Sequence, residues 1–344
     1  MNINKVKDLS ISVAIPSLAI VVPCYNETDA FPRCLSTLLS VLSELINNNR
    51  ILASSYIQFV DDGSHDSTWQ LIKQATTKSP HVKGLKLSRN YGHQVALIAG
   101  LSVVDTDIII SIDADLQDDI NCIFQMIDKY MQGIDVVYGV RNDRSSDSAF
   151  KRVTANSFYK FMSIMGVKQI ENHADYRLLS RRALQSLMQF KERNVYIRGM
   201  VPLLGFKSEK VFYSRNERIE GESKYPLRKM LALAVEGITS LTVTPLRLIA
   251  VIGFLTFLLS LIASIYTLVQ KVQGSVVEGW TSVIISIFLL GGIQLLCMGV
   301  VGEYIGKIYM ETKGRPKFII DEFIDGAKLL SEAAKIKLSH TNGN

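Results

Sequence analysis

The sequence predicts an α/β protein built on a doubly wound, mostly parallel sheet, followed by two helices able to cross a bilayer. Three observations carry this expectation. Between Leu18 and Val140, short apolar runs ending in acids or turn formers alternate with stretches of helical spacing, the rhythm of strand–helix–strand units. One run, Ile108-Ile109-Ile110-Ser111-Ile112, is apolar on both faces, as a strand inside a parallel sheet must be. Residues 248–270 and 279–302 contain no charged side chain, and each exceeds the ~20 residues that span a hydrocarbon core.

Taken in order, residues 1–17 read as an extension, and Pro16 interrupts the apolar core that a cleaved signal would need. Leu18 to Val22 is the first strand, ended by Pro23-Cys24-Tyr25-Asn26-Glu27, where Pro and Asn demand a turn before the helical spacing of Arg33 to Leu45. Tyr56 to Val60 is the second strand. It ends in Asp61-Asp62-Gly63-Ser64, where Gly63 permits a tight turn and Asp66 or Ser67 can cap the next helix. Val82 to Leu87 is the third strand, and Arg89-Asn90-Tyr91-Gly92-His93 leads into a helix. The isoleucine run is the fourth strand, followed by a helix over Ile120 to Met131 and a further strand over Asp135 to Val140. A largely helical stretch is expected from Phe150 to Met165.

Farther on, Leu227, Met230, Leu231, Ala234, Ile238 and Leu241 form one apolar stripe, so 226–245 is expected to be an amphipathic helix at a membrane interface. The remaining divisions are a catalytic domain over 18–225, a transmembrane hairpin over 246–304 and a tail over 305–344. Arg228, Lys229 and Arg247 precede the first span, and Lys307, Lys313, Arg315 and Lys317 follow the second. Positive flanks face the cytosol, so both termini and the catalytic domain are expected there, on the inner membrane. Gly291, Gly292, Gly299, Gly302 and Gly306 permit close helix contact within the pair or between subunits, which allows a homo-oligomer.

The net charge of +6 suits phosphates or an anionic bilayer, and no nucleic-acid partner is expected. The 4 cysteines have no paired spacing and suggest neither zinc nor a disulfide framework. His65, His81, His93 and His173 lack metal-ligand spacing and read as structural or surface residues.

The chemistry concentrates where the isoleucine strand runs into Asp113-Ala114-Asp115-Leu116-Gln117-Asp118-Asp119. Ligands bind beyond the carboxyl ends of strands in open α/β sheets. If the backbone stays extended, Asp113, Asp115 and Gln117 share one face, and three oxygen donors suit Mg²⁺ or Mn²⁺. A solvated acidic turn would use the same residue types. Asp118 and Asp119 are expected at the start of the next helix, where its dipole favours acids.

Val22-Pro23-Cys24-Tyr25-Asn26-Glu27, Asp61-Asp62-Gly63-Ser64, Asp113-Ala114-Asp115-Leu116-Gln117 and Glu222-Ser223-Lys224-Tyr225 together resemble the family 2 inverting glycosyltransferases. Within them the chain is most similar to the polyprenyl-phosphate branch, the bactoprenol glucosyltransferases, and more distantly to dolichyl-phosphate mannose synthases. The resemblance implies a GT-A-like nucleotide-sugar fold. It implies that Pro23, Tyr25, Asn26, Glu27 and Asp61 line a nucleotide pocket, with Asp61 near the base. It implies that Asp113, Asp115 and Gln117 hold Mg²⁺ or Mn²⁺ and the donor diphosphate, and that Asp175 lies beside the reacting sugar. His93 departs from the pattern, standing where relatives often carry lysine. Arg177, Arg198, Arg215, Arg218 and Lys224 are cationic candidates for the two phosphate groups that must approach each other, with Lys224 on a lid permitted by Gly221 and Ser223.

The expected activity is transfer of one hexose, glucose from a UDP-sugar, onto undecaprenyl phosphate with inversion, giving a lipid-linked donor for surface glycan (lipopolysaccharide O-antigen) modification. GlcNAc, galactose or mannose are the alternatives within that class. A catalytically silent subunit of a membrane transport complex is the alternative from another class, against which stand the intact acidic strand end and the lack of intramembrane charge.

Overall fold

The computed structural model describes residues 14–141, 165, 173–193, 195–214, 239, 242–273 and 279–331. At its centre is an eight-stranded sheet. The first four strands are β1 (Leu18–Cys24), β2 (Tyr56–Asp61), β3 (Val82–Leu87) and β4 (Ile108–Ser111). They are joined by α1 (Phe31–Asn47), α2 (Thr68–Lys78) and α3 (His93–Ser102), as the alternation of patterns predicts. All are mutually parallel where they pair, in the order β4-β1-β2-β3. The helix α1 buries Phe31, Cys34, Leu38, Val41, Leu42 and Leu45, a one-face spacing, and takes its proline in the first turn, where no backbone N–H is missed.

The second half departs from the doubly wound, mostly parallel expectation. After α4 (Cys122–Met131), the strand β5 (Val136–Arg141) forms as predicted but does not sit beside β4. The strand β6 (His173–Ser180) enters between them, antiparallel to both. Next come α5 (Arg181–Met188), α6 (Ile197–Leu203) and β7 (Ser208–Tyr213), which adds parallel to β5 at the edge. The sheet is therefore mixed. Sequence alternation missed β6 because two of its buried positions are Asp175 and Arg177, which read as surface residues until each is seen to neutralise the other.

Two layers of helix cover the sheet. On one face α1, α2 and α4 pack on Leu18, Ile20, Phe59, Ile110 and Tyr176; on the other α3, α5 and α6 pack on Val21, Val60, Leu85, Ile109 and Leu179. Such two-sided burial explains why β1 is apolar throughout and β4 apolar up to Ser111, rather than alternating.

Two long helices follow, α7 (Thr244–Val272) and α8 (Trp280–Thr312). At helical rise each exceeds the ~30 Å of a hydrocarbon core. Among the described residues one stretch, Leu289–Thr312, is both long and apolar enough to cross a membrane, while the apolar stretch Thr244–Thr256 in α7 is shorter. Two such stretches were expected. The interface helix expected over 226–245 and the helix expected over Phe150 to Met165 lie almost wholly outside the described residues.

The segment 305–344 does more than trail. It completes α8 and then forms β8 (Ile320–Asp325), which closes the free edge of β3 in antiparallel pairing. Its acids find lysines on the covered edge, Lys83 with Asp325 and Lys86 with Asp321, both at 3.0 Å. Trp69 Nε1 also donates to Glu322 Oε2 at 3.1 Å. An acidic strand of this kind carries little apolar signal and is legible only against its basic neighbour.

Candidate active site

The carboxyl ends of β4, β1 and β2 lie side by side, so the three turns singled out in the sequence open onto one crevice. The turns of β1 and β2 are stitched to each other. Asn26, in the left-handed region at φ 55°, donates its N–H to Ser64 Oγ at 3.0 Å, and its Oδ1 accepts from the His65 N–H at 2.9 Å. Glu27 N–H donates to Thr68 Oγ1 at 2.9 Å, and Thr28 and Thr68 both donate to Asp66. Tyr25 is 41% exposed and meets the His65 ring edge-on.

Below them, Asp61 is fully buried and its Oδ2 accepts no hydrogen bond, which pushes its pKa up through desolvation. Asp62, also buried, accepts the backbone N–H of Tyr91 at 2.7 Å and of Gly92 at 2.9 Å, so it fixes the loop that delivers His93. Gly63 has φ +67°, and a Cβ there would stand 2.4 Å from the Arg89 carbonyl carbon. Only glycine lets these two loops touch.

Beyond β4 the extended backbone does not persist. Residues 113–116 turn, Leu116 N–H donating to the Asp113 carbonyl at 3.3 Å with Leu116 at φ 47°. Asp113, Asp115 and Gln117 therefore do not share a pleated face. Asp115 is exposed, whereas Asp113 Oδ1 and Gln117 Oε1 are buried and accept no hydrogen bond. Burial raises the Asp113 carboxyl to about 6; His93 opposes this rise, and Asp175, Asp118 and Asp115 add to it. Among the described residues no three His, Cys, Asp or Glu side chains form a ready-made metal centre. Asp113 Oδ1, which accepts no hydrogen bond but lies 3.5 Å from His93 Nε2, the unpartnered Gln117 Oε1 and the exposed Asp115 carboxylate on one turn nonetheless form an oxygen donor set suited to Mg²⁺ or Mn²⁺. Asp118 does not begin the next helix as expected. It is buried, accepting from Tyr213 Oη at 2.6 Å and Arg141 Nη2 at 3.2 Å, and anchors the acidic turn to β5 and β7.

The antiparallel register sets Ser111 opposite Arg177, so two residues farther on Asp113 comes to lie by Asp175; Ser111 Oγ donates to the Asp175 carbonyl at 2.6 Å. Arg177 Nη2 donates to Asp175 Oδ1 at 2.6 Å, and Arg198, from α6, donates through Nη2 to Oδ2 at 3.0 Å. His93 Nε2 lies 3.4 Å from Asp175 Oδ2 and 3.5 Å from Asp113 Oδ1, bridging the two carboxylates. Burial alone would raise the Asp175 pKa; the hydrogen bond from His93 and the charges of Arg177 and Arg198 outweigh it and hold the carboxyl well below its usual range. Asp175 is thus a fixed anion. For His93 the balance runs the other way, burial disfavouring its cation and the Asp175 and Asp113 carboxylates raising its pKa nonetheless.

The structure thus gathers Asp113, Asp175, Arg177 and Arg198 in one cluster, with Asp115 and Gln117 on the adjoining turn. Arg177 is a correction in kind. It is 1% exposed, so it grips Asp175 from behind rather than lining the crevice. Arg215, Arg218 and Lys224 lie outside the described residues. His93, read from the sequence as structural or surface, stands between Asp113 and Asp175, and its place after Tyr91-Gly92 at a helix start was the available signal. Asp62 was missed as the brace of that loop.

Comparison with known proteins gives these turns a context. Residues 19–188 match the glycosyl transferase family 2 domain, and residues 244–308 match the GtrB C-terminal hairpin. An uncharacterized glycosyltransferase, YkoT of Bacillus subtilis, is 49% identical over 308 residues, 89% of this chain and 91% of its own. The chain belongs to glycosyl transferase family 2. Other relatives in this family are more specific in name. The bactoprenol glucosyl transferase of Shigella phage SfX is 38% identical over 305 residues, 88% of this chain and 98% of that protein. A prophage bactoprenol glucosyl transferase homolog of Escherichia coli is 40% identical over 307 residues, with the same coverage. The strand ends thus gather oxygen donors, the Arg198 and His93 cations and the Asp175 anion.

Proposed function

We propose that this chain transfers glucose from UDP-glucose to undecaprenyl phosphate, with inversion at the anomeric carbon, at the cytosolic face of the inner membrane. Its near full-length similarity to bactoprenol glucosyl transferases supports the donor sugar and the lipid acceptor. The observation that carries the mechanism is Asp175, clamped by Arg177, Arg198 and His93 beside Asp113.

In this reading Pro23, Tyr25, Asn26 and Glu27 line the nucleotide site, and the buried, unpartnered Asp61 Oδ2 accepts a hydrogen bond from the base. Asp113, Asp115 and Gln117 hold Mg²⁺ or Mn²⁺, which when bound offsets the negative charge developing on the nucleotide diphosphate. Arg198, 41% exposed, is the described cation available to the phosphates; Arg215 and Lys224, outside the described residues, are proposed from the sequence alone to assist it. The acceptor needs no strong base. A phosphate monoester has a second pKa near ~6, so at neutral pH it already attacks as an oxyanion. Asp175 then orients the reactants and stabilises the cationic sugar ring instead of removing a proton. The new C1–O bond to the lipid phosphate forms as the C1–O bond to the diphosphate breaks, and UDP departs. Both α7 and α8 cross the bilayer, a reading supported by the charge-free stretches 248–270 and 279–302 and the matched C-terminal hairpin.

The test is UDP release and radiolabelled glucose incorporation into lipid by the purified full chain with undecaprenyl phosphate. Both should occur, stop with chelator and return with Mn²⁺ or Mg²⁺. Absence of UDP release with every UDP-sugar offered, or release that ignores the lipid, overturns the reading.

A further inference from the structure

Besides the buried Arg177, two side chains reach Asp175 from different helices. His93 opens α3 and its Nε2 stands 3.4 Å from Asp175 Oδ2. Arg198, in the first turn of α6, meets the carboxylate side-on, Nη2 donating to Oδ2 at 3.0 Å and Nε to Oδ1 at 3.3 Å. A two-point fit of this kind tolerates a displacement of only about 0.5 Å.

The helix α6 is poorly equipped to hold that position by itself. It has 7 residues, Pro202 within it lacks an N–H, and Tyr196 at its start supplies no capping side-chain bond. Its Ile197, Met200 and Val201 pack into one apolar cluster with Ala96, Leu97 and Ala99 of α3. Apolar packing is non-directional, so it keeps the two helices together without fixing how far one slides or turns along the other. Gln94, the neighbour of His93, supplies the direction. Its Oε1 accepts the Ile197 backbone N–H at 3.0 Å, one residue before Arg198. That N–H lies in the first turn, where a helix offers it no acceptor of its own. Upstream the chain is fixed to the end of α8, the Arg193 N–H donating to Glu311 Oε1 at 2.6 Å and Lys317 Nζ to the Phe190 carbonyl at 2.8 Å. Gln94 fixes it again where the direction of Arg198 is decided.

We infer that Gln94 is a positioning residue for the transfer reaction: by tying Ile197 to the start of α3 it sets Arg198 against His93, and so completes the grip on Asp175. Its catalytic consequence rests on the glucosyl-transfer reading above, whereas the tie rests on geometry alone.

The experiment uses the full chain in nanodiscs. Gln94→Met keeps a long, helix-favouring side chain and removes the acceptor, Gln94→Glu keeps an acceptor, and Gln94→Ala repeats the removal with a smaller side chain so that no result hangs on one variant. Hydrogen exchange read by mass spectrometry on peptides covering 195–203 reports the tie. Exchange at the start of α6 should be about fivefold faster in the Met and Ala variants and within about twofold of wild type in the Glu variant. Radiolabelled transfer reports the consequence. Gln94→Met should lower kcat by about tenfold in the wild-type background, but by less than about twofold in an Arg198→Met background, where no guanidinium is left to misplace. Unchanged exchange in both acceptor-free variants overturns the proposal. So does an equal fractional loss of kcat in the two backgrounds, which would leave Gln94 a merely structural role. Exchange is read without turnover, so a wild type that transfers no sugar fails the glucosyl-transfer reading, while the exchange rates still decide for or against the tie.

Discussion

Replacing Asp175 by asparagine separates its structural work from its chemical work. Asp175 and Arg177 are 6% and 1% exposed and meet at 2.6 Å. Removing one partner of such a buried pair costs about 3–5 kcal/mol, because the other charge stays buried without compensation. Arg198, 41% exposed, adds less than about 1 kcal/mol after solvent screening. Against a typical total of about 5–15 kcal/mol, Asp175→Asn should fold but melt well below wild type. Adding Arg177→Met removes the orphaned cation, so the double variant should regain much of the loss, with a coupling of about 2 kcal/mol or more. Activity should behave differently. Loss of a fixed anion beside a cationic transition state lowers kcat by about 100-fold or more, and restoring stability does not restore it. The assay pairs thermal unfolding of the four proteins of the cycle with UDP release and lipid labelling. Coupling below about 0.5 kcal/mol, or a double variant that recovers rate along with stability, refutes the assignment.

Chelation should abolish transfer, and Asp113→Asn should raise the Mn²⁺ concentration needed for half-maximal rate, read directly from metal titration of UDP release. Gly63→Ala forces φ +67° on a side chain and drives its Cβ into the backbone of Arg89, so it should displace the loop held by Asp62, costing about 1–3 kcal/mol and raising KM for the sugar nucleotide. His93→Lys should retain more activity than His93→Leu, since only lysine still offers a cation to Asp175; equal rates would show that the bridge is idle. Asp135 has its pKa lowered chiefly by hydrogen bonds from Arg182, with burial opposing and Ser180 assisting. A lowered pKa means stability present above the ordinary carboxylate range and lost as pH falls through the folded value. Asp135→Asn keeps an acceptor for Ser180 but loses the charge, so it should melt lower than wild type at pH 7, with the gap narrowing as pH falls below the ordinary carboxylate range.

How legible the site was depended on what each charge faced. The ends of β1, β2 and β4 could be read because apolar runs stop abruptly at acids, and burial on both faces leaves no other pattern for such runs. The fold beyond Arg141 was less legible. In β6 the alternation carries Asp175 and Arg177 inward on one face and Tyr176 and Leu178 inward on the other, so no face looks wet or dry from the letters alone. The same pairing that hid the strand holds Asp175 beside Asp113, where the proposed centre lies. In the acidic turn the error was geometric. A period of two places Asp113, Asp115 and Gln117 on one side, but Leu116 at φ 47° breaks that period, and nothing in a lone leucine announces a left-handed backbone.

The edge strand β8 bears on how a membrane enzyme keeps its site in register with its anchor. The chain leaves α8 at Thr312 and by Ile320 is paired with Leu87, the last residue of β3. Ser88 N–H donates to the Ile319 carbonyl at 3.0 Å, and the residues that follow Ser88 are the loop braced by Asp62 that delivers His93. A shift of the helix end relative to the sheet would therefore be felt within a few residues of the carboxylate pair. A hydrogen-bonded ladder with two lysine–carboxylate pairs across it (Lys83–Asp325 and Lys86–Asp321) and a third from α2 (Lys73–Glu322) is stiffer than a free linker, because sliding β8 along β3 breaks them together. Each pair is partly exposed and weak alone, so their service is to set register rather than to add stability.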